Sequence, residues 1–124
     1  MFRLKFVIVL CGLVLVAAAP RWAWAHAFLE RAEPTVGAEV YASPRRVRIW
    51  FDAVIEPGSS TLRVLNERGQ QVNKEKGRVD TDNPQLFEVR VPPLLPGVYR
   101  VVWSVVTRDG HLTRGDYHFT VKNK

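Results

Sequence analysis

Two stretches far apart in this chain hold the residues best suited to chemistry: His26, just behind Ala23-Trp24-Ala25, and the triplet Asp109-Gly110-His111. A small-x-small sequence is what a signal peptidase cuts, and cleavage after Ala25 makes His26 the first residue of the mature chain. An N-terminal histidine is a chelator, because its free α-amine and its ring Nδ1 close a six-membered ring on one metal ion. No internal histidine can do this. Asp109 and His111 stand two residues apart, and in an extended segment such side chains point to one side with Cα atoms about 6.5–7 Å apart. Gly110 between them allows the backbone to bend both inward. An amine, two imidazoles and a carboxylate form a nitrogen-rich donor set with one oxygen. That set suits tetragonal Cu(II), which heads the Irving–Williams order for such ligands; Zn(II) is the competitor but favours tetrahedral sites. Asp-Gly is also an ordinary hairpin turn, so the triplet points to a metal only in combination with His26. His118, on the outward side of its strand, is expected to face solvent.

The start of the chain has the three parts of a secretory signal. Arg3 and Lys5 are basic, residues 6–19 are apolar, and Pro20-Arg21-Trp22 leads into the cleavage site. The apolar run is shorter than the roughly 20 residues that span a bilayer. Residues 1–25 are therefore expected to be removed, leaving a single domain over residues 26–124. Cys11 leaves with the signal, and Leu10 before it is not the small residue of a lipoprotein site, so no thiol, disulfide or lipid anchor is expected. Of the 18 basic residues, Arg3, Lys5 and Arg21 lie in the signal, and the mature chain carries a small positive excess over its 12 acidic residues. The remaining basic residues (Arg45, Arg46, Arg48, Lys74, Lys76, Arg78) are scattered and not interleaved with aromatics, which argues against nucleic acid as a partner.

Period-two alternation runs through the rest. Val47, Ile49 and Phe51 alternate with Arg46, Arg48 and Trp50, and Phe87, Val89 and Val91 alternate with Glu88 and Arg90. Tyr99, Val101, Trp103 and Val105 form one face of a long strand, and Tyr117, Phe119 and Val121 another. Residues 27–31 and 61–66 add two more strands, while residues 73–84, polar and charged, are expected to be a loop. Strands with one apolar face, punctuated by Pro and Gly and without helix-period segments, predict an all-β, immunoglobulin-like Greek-key sandwich.

Across nearly the whole mature chain the sequence resembles the copper resistance protein CopC family. The resemblance rests on His26-Ala27-x-Leu29 followed by Pro34 and Gly37, on Pro44-x-x-Val47-x-Ile49-x-Phe51, and on Leu94-Leu95-Pro96-Gly97-x-Tyr99-x-Val101-x-Trp103. It closes on Asp109-Gly110-His111-x-x-x-Gly115-x-x-x-Phe119-x-Val121, its most specific part. The resemblance implies an immunoglobulin-like sandwich and a site for one Cu(II) per chain made of His26, Asp109 and His111. It also implies a non-enzymatic, periplasmic copper buffer or carrier that hands copper to a CopD-type inner-membrane transporter. A monomer is expected. Some family members hold Cu(I) in a methionine-rich segment. Here the only methionine is Met1, so the soft donors that Cu(I) prefers are missing from the mature chain. A competing reading is a copper oxygenase of the histidine-brace type, which also begins with a metal-binding histidine; a carboxylate from Asp109 would occupy the coordination position that oxygen needs.

Overall fold

The computed structural model describes residues 28–123. Eight strands form: β1 (Leu29–Glu33), β2 (Glu39–Val40), β3 (Arg46–Phe51), β4 (Thr61–Leu65), β5 (Arg78–Val79), β6 (Leu86–Arg90), β7 (Gly97–Val106) and β8 (Leu112–Val121), with one 3-10 turn at Pro57–Ser59. They make two four-stranded sheets, ordered β1-β3-β6-β5 and β2-β8-β7-β4. The chain changes sheet at each of its first four connections. Only the β5–β6 and β7–β8 neighbours are consecutive in sequence. All pairings are antiparallel except β2 with β8.

The alternation read from the sequence sets the two layers. Val47, Ile49 and Phe51 of β3 and Phe87 and Val89 of β6 point inward from one sheet, and Leu62, Val64, Val101, Val105 and Phe119 meet them from the other; all are essentially inaccessible. Burial of such side chains contributes about 1.5–3 kcal/mol each, and these make the core. Aromatic rings pack both between the layers and within one of them. Phe51 and Trp103 meet edge to face with centroids 5.8 Å apart, while Tyr99 stacks on Phe119 at 5.6 Å. Tyr99 also donates its hydroxyl to the Leu95 carbonyl at 2.5 Å, which ties the loop before β7 to the sheet.

Two local expectations are corrected and one strand is added. The first strand begins and ends two residues later than its 27–31 pattern suggests, with a register shift between Leu29 and Arg31. Residues 73–84 are not wholly loop, because Arg78 and Val79 pair with Glu88 and Phe87 as β5. Asn73 in this polar stretch is buried, its side chain accepting from Val64 N–H and donating to the Glu75 carbonyl. The short β2 went unforeseen, since two residues carry no period; its register is fixed by pairing with Thr120 and Val121.

Candidate metal centre

The two longest strands, β7 and β8, pair over their full length from Gly97↔Val121 to Val106↔Leu112, and their connection carries Asp109-Gly110-His111. This segment is a tight turn and not an extended run. Gly110 sits at φ +90°, its N–H donates to the Thr107 carbonyl at 2.8 Å, and Thr107 N–H donates to the His111 carbonyl at 2.9 Å. A side chain at Gly110 would be strained in that backbone region. The turn therefore performs the convergence expected of an extended D-x-H, by a different geometry: His111 Nδ1 lies 2.9 Å from Asp109 Oδ2.

Each bond here fixes a chemical state. Facing a carboxylate, His111 Nδ1 carries the proton and donates, so that in the neutral imidazole Nε2 bears the lone pair. A carboxylate behind an imidazole is also the usual way a metal-binding ring is oriented and made more basic. The second oxygen of Asp109, Oδ1, accepts the Thr107 hydroxyl. Donation from Thr107, and next from His111, holds the Asp109 carboxyl below the ordinary carboxylate range.

Thr107 is the residue that sequence reasoning missed. Only 3% exposed, it is one of two buried polar residues in the described chain. Its hydroxyl also accepts the His111 N–H at 3.3 Å. One buried oxygen thus touches both Asp109 and His111, and its signature is the spacing Thr-x-Asp-x-His. Thr107 is itself pinned by an isolated bridge to Ile55, and Arg108 N–H donates to the Val54 carbonyl at 3.0 Å.

The same segment receives the start of the described chain. Phe28 N–H donates to Asp52 Oδ1 at 2.7 Å, and Asp52 N–H donates back to the Phe28 carbonyl at 2.9 Å. Residues 52–55 therefore connect Phe28 to the Thr107–His111 turn. His26 lies outside the described residues. Among the described residues no group of three or more His, Cys, Asp or Glu side chains forms a metal-binding cluster; Asp109 and His111 provide two donors. Their side chains are 60% and 45% exposed, so the pair is open to solvent at a turn, unlike the enclosed pocket that an organic substrate needs. His118 stands apart, exposed on β8 opposite Arg100.

The family model described as "CopC domain" matches residues 29–122. The chain is 35% identical over 100 residues to Protein YobA of Escherichia coli K12, covering 80% of this chain and 81% of that one. It is 30% identical over 110 residues to the copper transport protein CutJ of Bacillus subtilis, where the match covers 88% of this chain but spans only 20% of the longer relative. Among solved structures it is similar to CopC from Methylosinus trichosporium OB3b, with a TM-score of 0.74 and 35% identity over 79% of this chain and 95% of that one.

Proposed function

Because this chain belongs to the CopC family, we propose that it binds one Cu(II) at the β7–β8 turn and buffers or carries it. Members of the family are copper-binding and resistance proteins and not enzymes, which sets aside the oxygenase reading. The observation that carries the proposal is the contact of His111 Nδ1 with Asp109 Oδ2 at 2.9 Å, supported from beneath by Thr107. It prepares His111 to ligate through Nε2, while the remaining lone pairs of the Asp109 carboxylate supply an oxygen and one negative charge.

His26 completes the set. It precedes Phe28 by two residues, a reach of up to about 7 Å, and Phe28 is tied through Asp52 to the segment that pins the turn. Removal of residues 1–25 gives His26 the free amine that, with Nδ1, makes a chelate. The ion then meets three nitrogens and an oxygen, the donor set of Cu(II). Residues 26–124 contain neither cysteine nor methionine, so Cu(I) finds no sulfur ligand. A secreted, periplasmic carrier that delivers to a CopD-type membrane transporter fits this chemistry.

The decisive experiment compares the chain beginning at His26 with the same chain carrying one alanine ahead of it. Intact mass and competitive Cu(II) titration should give one ion per chain for the first and a loss of affinity of at least a hundredfold for the second. Equal affinity would overturn the assignment of His26.

A further inference from the structure

The alternation that buries Val47, Ile49, Phe87 and Val89 turns Arg46 and Arg48 of β3, Arg78 of β5 and Glu88 and Arg90 of β6 to the outside of one sheet. Residues that look scattered in sequence become neighbours. Arg46 stands directly opposite Arg90, and Arg48, Glu88 and Arg78 form the adjacent row. Like charges directly opposite on a sheet are destabilising, and the compensation here is thin. A single oxygen, Glu88 Oε2, is shared by Arg48 Nε at 3.2 Å and Arg46 Nη1 at 3.7 Å. Among the described residues Arg78 and Arg90 form no ion pair; with Lys76 they border a depression of about 260 Å3 whose remaining lining residues are the carboxylates Glu75 and Glu88, so its cations outnumber its anions by three to two. The sheet's far edge adds Arg31, stacked 3.8 Å over Trp50, and with it Glu33, which stands opposite Arg48 and lies 3.9 Å from Arg31. Across β1, β3, β5 and β6 the face sets Arg31, Arg46, Arg48, Arg78 and Arg90 against Glu33 and Glu88, a net positive surface.

We propose that this arginine-covered outer face of the β1-β3-β6-β5 sheet docks on a membrane surface of anionic phospholipid headgroups. Guanidinium forks match phosphate oxygens in pairs, and an anion between Arg46 and Arg90 removes their mutual repulsion. A protein partner fits less well. Stable protein interfaces depend on a few buried aromatic or apolar anchors, and on this face Trp50 is already covered by Arg31 while Leu86 beside it is buried. Attraction to a charged bilayer needs no anchor and grows with each basic residue near the surface. The orientation leaves the metal end clear. Arg46 and Arg90 pair at the end of β3 remote from Phe51 and Asp52, whereas the Thr107–His111 turn extends from the other sheet beyond the Asp52 end.

The inference does not rest on copper binding, and its test uses the metal-free chain beginning at His26. Flotation with phosphatidylcholine vesicles containing half phosphatidylglycerol should recover the protein at about 50 mM salt, release it at about 500 mM, and recover none with phosphatidylcholine alone. The pair Arg78→Gln and Arg90→Gln should lower partitioning roughly thirtyfold. The pair Arg63→Gln and Arg114→Gln, an equal change in net charge on the outer face of the other sheet, should lower it less than about threefold. All four side chains belong to exposed residues, and unchanged thermal melting shows that each variant is folded. No recovery with anionic vesicles, or equal losses for the two pairs, would overturn the proposal.

Discussion

Trp103 packs against the bare Cα of Gly115, its cross-strand partner: a Cβ there would fall 2.3 Å from Cζ2 and 2.7 Å from Cε2 of the indole. The ring can lie between the sheets and meet Phe51 edge-on only because position 115 has no side chain. Gly115→Ala must move the indole or part β7 from β8, an overpacking that costs about 1–3 kcal/mol. For a domain of this size each kcal/mol lowers the melting temperature by about 4–8 °C. Gly58→Ala is the control, since a Cβ at Gly58 meets nothing within 4 Å, and it should leave the melting temperature unchanged. Equal melting of Gly115→Ala and the parent would contradict the packing described.

The core strands were legible because their alternation is long enough to fix a face: Val47 to Phe51, Tyr99 to Val105 and Tyr117 to Val121 all turn inward as their spacing predicts. What stayed illegible depends on contacts between distant segments. Two-residue strands such as Arg78–Val79 have no period of their own, and the arginines of β3, β5 and β6 become one surface only once register is known. In the candidate site, Asp109 and His111 were readable from residue type, whereas their convergence comes from the positive φ of Gly110. Thr107 was missed because the spacing Thr-x-Asp-x-His becomes informative only once the threonine is known to be buried beneath the pair. The link from Phe28 through Asp52 to the turn likewise needs the fold.

Thr107 should therefore matter to copper without touching it. Thr107→Val keeps the shape but removes the donor to Asp109 and the acceptor for His111 N–H, leaving the carboxylate to swing. Cu(II) affinity should fall about tenfold, within the 10–100-fold range usual for residues that orient metal ligands. Thr107→Ser restores the hydroxyl and should recover most of the loss, with a Cu(II) paramagnetic resonance spectrum matching the parent. A valine variant with parental affinity and spectrum would remove Thr107 from the site.

The histidines separate by position. His111→Ala deletes a nitrogen donor and should reduce Cu(II) affinity by at least a hundredfold, more than Asp109→Asn, which keeps the shape and removes one charge. His118→Ala should change it by less than about twofold, because His118 projects from β8 opposite Arg100, remote from the turn. All three residues are exposed, so melting should shift little. Competition titrations against a chelator of known affinity decide the order, and an equal loss for His118→Ala and His111→Ala would refute it.

The pH response follows from which donors hold protons. Metal binding displaces them; α-amines and imidazoles have reference values of about 7.7–8.0 and about 6.5, so Cu(II) affinity should fall steadily from about pH 8 to about pH 5. Asp109 stays out of that competition. Donation from the Thr107 hydroxyl, and secondarily from His111, keeps its carboxyl below the ordinary carboxylate range, so it remains charged throughout this window. By linkage, a carboxyl with a lowered value in the folded state stabilises the fold above its unfolded value and loses that contribution only as pH falls through the folded one. Asp109→Asn should thus lower Cu(II) affinity throughout the range from about pH 8 to about pH 5, because the charge it removes is present across that range. A deficit present at about pH 8 but gone at about pH 5 would mean that Asp109 takes up a proton in that range, against the hydrogen bonding seen at the turn.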